Sequence, residues 1–247
     1  MTDSPLAELF QSHFDIVPAD QEHMLDKVFR IRHQVYCEEL GFEQRRDDHL
    51  EHDEFDHSAI HCLLRHKGSQ SYVGCVRLIL ADQSTPNQRF PFEKVCGQSL
   101  DWTFDAAAGT GRKRYGEISR LAIAGEFRRR RTVACPAQER RRDAESDSDD
   151  TRKLFPSVAL GLYLAITAMG LNQGLDGVFA MMEPRLARQL RRFGIHFEQV
   201  GQPVAHRGTR VPYFISRSAL LDNLKVDCRA LLGKIQTRLN PTGLQFA

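Results

Sequence analysis

The sequence has no C-x-x-C pair, no H-E-x-x-H run, no internal repeat and almost no net charge, +2 over 247 residues. Its six cysteines, at 37, 62, 75, 96, 135 and 228, keep no regular spacing, and the start MTDSPLAELF is acidic with no long apolar run. These absences speak against a disulfide framework, a common zinc motif and a secretory leader, so reduced thiols in the cytoplasm are expected. One stretch lacks charge altogether. LFPSVALGLYLAITAMGL, residues 154–171, runs 18 residues and sits at the lower limit for crossing a bilayer. It carries Pro156, Ser157, Gly161, Thr167 and Gly170 and lies mid-chain, which favours a buried helix of a layered domain over a membrane span.

What is present is ordinary globular material, 41% apolar and 27% charged. Apolar residues at 24, 25, 28, 29, 31, 35, 36 and 40 follow a helical stripe, with Gly41 placed to end it. SAIHCLLRH (58–66) and SYVGCVRLILA (71–81) flank the turn signal KGSQ and read as an antiparallel hairpin. A short helix is expected at 91–96 and a strand at RYGEISRLAIAG (114–125). The buried helix (154–173), a strand at 176–183 and a helix at 184–194 with Pro184 first and Gly194 last come next. HFEQVG and VPYFIS as strands and an amphipathic helix from Ser218 to Leu232 complete the order. It predicts one α/β domain over 1–233, a mixed sheet covered by helices, with a C-terminal tail over 234–247. Between residues 126 and 153 two arginine runs meet DAESDSDD with no apolar face, and a mobile charged insertion is expected.

Charge gathers most densely in EHDEFDHSAI, residues 51–60, just before the first strand of the hairpin. Glu51, Asp53 and Asp56 surround Phe55 there. Arg77 lies inside the apolar strand GCVRLIL, where a guanidinium needs a partner. In GEISRLAI, strand alternation puts Glu117, Ser119 and Leu121 on one face and Ile118 and Arg120 on the other. Glu117 and Arg120 should then not satisfy one another; Arg77 is expected to pair with the loop acids and Arg120 with a second acid. Two readings of this set stand side by side. One is a salt-bridge network pinning the helix at 21–40 to the sheet. The other is a site where a carboxylate takes a proton from an attacking amine and backbone donors steady an oxyanion.

These residues also carry a resemblance. Arg32-x3-Tyr36, Phe42, Glu51-x-Asp53-x-Phe55-Asp56, Gly74-x2-Arg77-Leu78 and Glu117-x-Ser119-Arg120-Leu121 occur in the order seen in acyl-homoserine-lactone synthases and N-acyl amino acid synthases. The wording RHQVYCEELGFE most resembles the related acyltransferases of PEP-CTERM/exosortase systems. The specific motifs cover about residues 25–125. The resemblance implies a GNAT-like fold, with a mixed, mostly antiparallel sheet flanked by helices. It implies transfer of a long-chain acyl group from an acyl carrier protein or coenzyme A thioester to a small amine, with an amino acid as the expected acceptor and no bound cofactor. It casts Glu51, Asp53, Asp56 and Glu117 as catalytic, and Arg32, Tyr36, Phe42, Arg77, Ser119 and Arg120 as substrate-binding. Arg32 would hold the acceptor side or brace the acids, and Phe42 would lie over the acceptor pocket. The lactone synthases typically have tryptophan at the Phe42 position, which weakens S-adenosylmethionine as the acceptor but keeps it as an alternative.

Acetyltransferases of this fold grip coenzyme A with a glycine-rich turn after the central strand. Here that place reads AGEFRRRRTVACPAQERRR, without G-x-G. Arg128, Arg129, Arg130 and Arg131 either steer the acidic surface of a carrier protein or form a solvated loop neutralised by the acids that follow. No aromatic residues interleave with them for stacking on nucleic acid, and no nucleic-acid partner is expected. Two other classes remain open: a metal site built from His49, His52, His57 and His61, and a non-catalytic arginine-rich adaptor. An acyl tunnel would run between the sheet and the helix at 154–173, with Leu160, Tyr163, Leu164 and Met169 as candidate lining or as ordinary core.

Overall fold

The two apolar runs around KGSQ pair as expected, β2 (Ala59–His66) antiparallel to β3 (Tyr72–Leu80), and they form the middle of an eight-stranded sheet. The computed structural model describes residues 4–81, 89–101, 115–128 and 148–239, with side chains from residue 158 onward in the last of these. Helix α1 (Pro5–His13) leads into edge strand β1 (Phe14–Pro18), two elements that the sequence reading did not foresee. Then come α2 (Glu22–Arg32), the β2–β3 hairpin, α3 (Pro91–Cys96), β4 (Tyr115–Ile123), a single turn α4 (Gly125–Arg128) and α5 (Ser148–Asn172). Strand β5 (Gly177–Met182), α6 (Pro184–Arg191), β6 (Glu198–Gln199), β7 (Val204–Ala205), β8 (Thr209–Ser216), α7 (Arg217–Asn223) and α8 (Val226–Leu239) follow. The strands lie in the order β1-β2-β3-β4-β5-β8-β6, with β7 paired to β8. Every pairing is antiparallel except β4 with β5.

Burial explains the layers. From Val158 to Met169 helix α5 is buried almost all round, packed between the sheet and helices α1 and α8. This is the buried helix expected from its missing charge, and among the described residues no helix is long and apolar enough to cross a membrane. The opposite face of the sheet carries α2 over Leu63, Cys75 and Ala122. Beside it, α3 covers an aromatic cluster of Phe55, Phe90, Phe92, Phe179 and Phe214. Phe92 and Phe179 stack with ring centroids 4.6 Å apart. Between these two apolar zones the sheet face is polar.

Several boundaries differ from the expectation. The helix expected over 21–40 is α-helical only to Arg32 and continues as a π-helix, His33–Glu39, before Gly41 ends it at φ 63°. Of HFEQVG only Glu198 and Gln199 form a strand, with Val200 N–H adding one bond to the Pro212 carbonyl of β8 (3.0 Å). The C-terminal helix is two helices, broken where Lys225 N–H donates to the Phe193 carbonyl (3.2 Å). Helix α8 runs to Leu239, past the expected boundary at 233, and residues 240–247 of the expected tail lie outside the described residues. The ends of the segment expected as a mobile insertion, 126–153, belong to α4 and α5, and 129–147 lie outside the described residues.

Gly194 closes α6 as its position in the sequence suggests, at φ 86°, and a Cβ there would stand 2.0 Å from the Asn223 carbonyl oxygen. Gly194→Ala should therefore cost about 2–4 kcal/mol, from left-handed strain plus a backbone collision. Urea unfolding checks this; a midpoint unchanged from the parent protein would contradict the packing described.

Candidate functional site

The polar strip lies where β2, β3 and β4 run side by side, with His61 opposite Arg77 and Arg77 opposite Ser119. Arg77 reaches out of the strip into the loop acids. Its Nη1 donates to Asp53 Oδ1 (2.6 Å) and Asp56 Oδ1 (2.7 Å), Nη2 to Asp53 Oδ2 (3.1 Å) and Nε to Ser119 Oγ (3.0 Å). Arg32, from the end of α2, donates from Nε to Glu51 Oε2 (2.5 Å) and from Nη1 to Asp56 Oδ1 (2.7 Å). A short 3₁₀ turn, Glu54–Ser58, sets the acids in place. The Asp53 side chain accepts from Phe55 N–H and the Asp56 side chain accepts from Asp53 N–H, so two backbone donors fix both carboxylates.

Arg120 departs from the expected alternation. Arg77 faces Ser119 while Cys75 faces Ala122, so β4 carries one residue more than β3 between these pairs. This bulge holds Arg120 at φ 49° and turns it to the face of Ser119, not to that of Ile118. There it meets Glu51 Oε1 (3.0 Å), Asp53 Oδ2 (3.1 Å) and Glu43 Oε1 (3.2 Å). Tyr36, on the π-helix, donates its hydroxyl to the Leu121 carbonyl (2.8 Å) beside the bulge, and the Arg120 guanidinium lies 5.7 Å over its ring. Burial pushes the Tyr36 hydroxyl up to about 12.

Three guanidiniums and three carboxylates thus close on one another. Burial alone would raise Glu51, Asp53 and Asp56. The guanidiniums outweigh it: Arg32 and Arg120 hold Glu51 below the ordinary carboxylate range, Arg77 and Arg120 do so for Asp53, and Arg32 and Arg77 for Asp56. None of the three can take a proton near neutrality. Glu117 differs. It is buried on β4 with no guanidinium in contact among the described residues and accepts a hydrogen bond from Phe92 N–H (3.0 Å) in the first turn of α3. Burial pushes its carboxyl up to about 8, although the Phe92 bond and the charges of Arg77 and Arg120 pull the other way. One strip therefore holds three fixed anions and one carboxyl poised near neutral pH.

The remaining sequence candidates fall in varied places. Phe42 is half-buried, its N–H donating to the Tyr36 carbonyl (2.7 Å). Arg128 is bonded to Glu39 (2.8 Å), while Arg129, Arg130 and Arg131 lie outside the described residues. Leu160, Tyr163, Leu164 and Met169 are all buried in the core. Of these four, Tyr163 alone lines a small apolar cavity of about 30 Å³ beside Ile118, Ile166, Gly170 and Val178.

The four histidines proposed for a metal do not converge. His61 is buried within the strip, its Nε2 3.5 Å from Asp56, and burial pulls its ring down to about 4. His57 approaches the Glu54 carbonyl, His52 lies against Phe29, and His49 lies beside Glu38. The group spaced for a metal among the described residues is His33, Glu38 and His49. His33 Nε2 accepts from Arg46 N–H (3.2 Å), which leaves its proton on the Nδ1 that faces Glu38 (3.3 Å); that nitrogen has no lone pair to offer an ion.

Sequence reading missed Glu43, although it follows Phe42 in the recognised motif. It also missed Arg207, whose side chain bonds Glu43 from the β7–β8 hairpin. Only the R-G turn pattern at 207–208 marks that position, and nothing in the pattern ties it to a residue more than 160 positions earlier.

Residues 31–138 match the family described as Acetyltransferase (GNAT) domain, a span that holds every catalytic candidate. Among curated proteins, none matches the sequence. Solved structures with the same fold include TofI, crystallised in a ternary complex with an inhibitor and MTA, at 18% identity and TM-score 0.58, covering 87% of this chain and 98% of that one. FeeM, an N-acyl amino acid synthase from uncultured soil microbes, is 14% identical with TM-score 0.56, covering 87% and 96%. BjaI, a CoA-dependent acyl-homoserine lactone synthase with SAM and isopentyl-CoA, is 20% identical with TM-score 0.54, covering 90% and 99%. The chain has the GNAT-like fold expected from its sequence.

Arg32→Met would take from Glu51 and Asp56 the more deeply buried of the two guanidiniums that each of them contacts and should cost about 3–5 kcal/mol. The same three acids titrate below their ordinary values near 4, so their stabilisation is complete above that range and is lost on further acidification. Urea unfolding of parent and variant at pH 7 tests the network, and a loss under 1 kcal/mol would show that the pairs carry little.

Proposed function

We propose that this protein is an N-acyltransferase, joining a fatty acyl group from a thioester to the amine of a small acceptor. The carrying observation is Glu117, a buried carboxyl raised to about 8 beside three acids that arginines hold ionised. An amine reaches the site as an ammonium ion, and Glu117 in its ionised form takes a proton from it. The freed nitrogen attacks the thioester carbonyl and the carbon–sulfur bond breaks; the second proton lost by the nitrogen passes to the departing thiolate, leaving an amide and a thiol, and Glu117 releases the first proton to solvent. Glu51, Asp53 and Asp56 serve as fixed negative charge that positions the ammonium ion. Arg32 and Arg77 brace those acids.

The sheet offers an entry for the thioester. Parallel pairing of β4 with β5 stops at Ile118↔Ala180, although β4 continues to Ile123 and β5 to Met182. Glu117 and Ile118 stand at that parting, one beside the polar strip and the other beside the apolar cavity. The acyl chain enters there, and the bulged backbone at Arg120–Leu121, out of step with β3, supplies donors to the oxyanion. A cavity of about 30 Å³ has room for a group the size of a water molecule or two, so a long chain requires α5 and β5 to move apart.

An amino acid is the acceptor in this reading, with S-adenosylmethionine as the alternative. Acyl carrier protein is the first choice of donor, drawn by the arginines from Arg128 onward, and acyl-coenzyme A the second. The RHQVYCEELGFE wording supports a place among acyltransferases of PEP-CTERM/exosortase systems, acting in the cytoplasm.

Purified protein supplied with dodecanoyl carrier protein or dodecanoyl-CoA and a mixture of amino acids should yield N-acyl products by mass spectrometry. The rate should climb with pH to a plateau above about 8, as Glu117 loses its proton. Glu117→Gln should lower kcat by about 10²–10⁴ and remove that inflection. Full activity in the variant would refute the assignment of the base. Stability moves the opposite way: the raised carboxyl favours the folded state fully below about 4.5 and loses that advantage as pH rises to 8, so Glu117→Gln should be the more stable protein at pH 8.

A further inference from the structure

Glu43 and Arg207 meet at the mouth of the polar strip, and the acyltransferase reading gives them no part. Glu43, in the loop after the π-helix, offers one oxygen, Oε1, to two guanidiniums, Arg120 (3.2 Å) and Arg207 at the tip of the β7–β8 hairpin. All three side chains are partly open to solvent, in contrast to Arg32 and Arg77 deeper in. The hairpin tip is a tight turn in which His206 N–H donates to the Gly208 carbonyl (2.8 Å).

The same two arginines share an uncommon backbone conformation. Among the described residues, four that are not glycine have positive φ: His49, Gln70, Arg120 and Arg207. Gln70 belongs to the β2–β3 turn, where such a conformation is ordinary. Arg120 (49°) stands in the bulge of β4 and Arg207 (51°) at the tip of the β7–β8 hairpin, and these two local geometries supply the left-handed conformation that directs each side chain. Both are aimed at one carboxylate oxygen.

Charge gives the reason. Inside the strip, Arg32, Arg77 and Arg120 are matched by Glu51, Asp53 and Asp56. Glu43 is thus the counter-ion of Arg207, and it leans on Arg120 only as a further partner. It is a loop carboxylate occupying a two-guanidinium fork at the entrance to the site.

We propose that the Arg120–Arg207 fork binds the α-carboxylate of an amino acid acceptor, with Glu43 holding its place until the substrate displaces it. This rests on the acyltransferase reading and gives its amino acid acceptor a binding subsite. In an α-amino acid the amine and the carboxylate share one carbon, so a carboxylate on the fork leaves the ammonium group beside Glu51 and Asp53, the acids that share Arg120. Arg207 selects the substrate and takes no part in the chemistry. A simple amine, or an amino acid amide, lacks the anion and leaves Glu43 in place.

The test compares amino acids with their amides as acceptors for dodecanoyl thioesters, in the parent protein, Arg207→Gln and Glu43→Gln. The parent should acylate the acids in preference to the amides. Arg207→Gln should raise KM for the acids about 10- to 100-fold, the loss of one charge-assisted hydrogen bond, with kcat and the amides nearly unchanged. Glu43→Gln, which removes the internal competitor, should lower KM for the acids. Saturation-transfer NMR with the same two mixtures reads binding without turnover, acids bound by the parent and released by Arg207→Gln. If acids and amides are acylated alike, or Arg207→Gln weakens both equally, the fork assignment is wrong while the acyltransferase reading stands. If no product forms from either thioester, the acyltransferase reading falls, and the NMR comparison alone decides the fork: acids bound no better than amides would overturn it.

Discussion

Three guanidiniums sit where a small domain would ordinarily place aliphatic side chains, and their neutralisation by three carboxylates constrains everything around them. A buried arginine without a counter-charge costs several kcal/mol, and Arg32 and Arg77 are almost wholly enclosed. The loop from Gly41 to Ser58 therefore has to fold back over the sheet and deliver Glu51, Asp53 and Asp56 together. Helix α2 has to end with Arg32 directed inward, and the 3₁₀ turn at Glu54–Ser58 has to fix the spacing of Asp53 and Asp56. The pairing consumes all three acids. Glu117, the fourth carboxyl of the strip, has no cation in contact among the described residues and shifts towards its neutral form instead.

That division lets one network serve the structure and, in the proposed reaction, the chemistry together. The salt bridges tie α2, the acid loop, β3 and β4 into one unit, as the structural reading of the sequence expects. The same ties hold three negative charges ionised and in register, which an incoming ammonium ion requires, and they deny those acids any part as bases. In the proposed reaction, proton transfer falls to Glu117, the carboxyl outside the pairing. The bulge in β4 completes the arrangement by bringing Arg120 to the face where the acids lie, over the ring of Tyr36.

Much of this was legible in the sequence. Hydrophobic alternation located β2, β3, β4 and β5 within a residue or two, and the uncharged run located α5, because burial on both faces leaves an unmistakable composition. The cluster at 51–56 and the isolated Arg77 marked the polar strip, since charge next to a strand core has few innocuous explanations. Arg120 could not be placed correctly: period-two alternation assumes an unbroken ladder, and the extra residue in β4 is a property of its register with β3. Helix α1 and strand β1 were missed because MTDSPLAELFQSHFDIV holds few of the β-branched and aromatic runs that announce a strand. Arg207 was missed for another reason. Its meaning lies in a contact with Glu43, and no spacing rule joins a hairpin tip to a loop so distant in sequence.

The central claim is that arginine pairing leaves Glu117 as the one carboxyl of the strip able to exchange a proton near neutral pH. Carbon-13 NMR of protein labelled at its glutamate side-chain carboxyls, assigned by comparison with Glu117→Gln, reads that ionisation directly. The account predicts a Glu117 resonance that titrates near pH 8, with Glu51 remaining ionised throughout the folded range. A Glu117 resonance that moves near pH 4.5, among the ordinary glutamates, would contradict it.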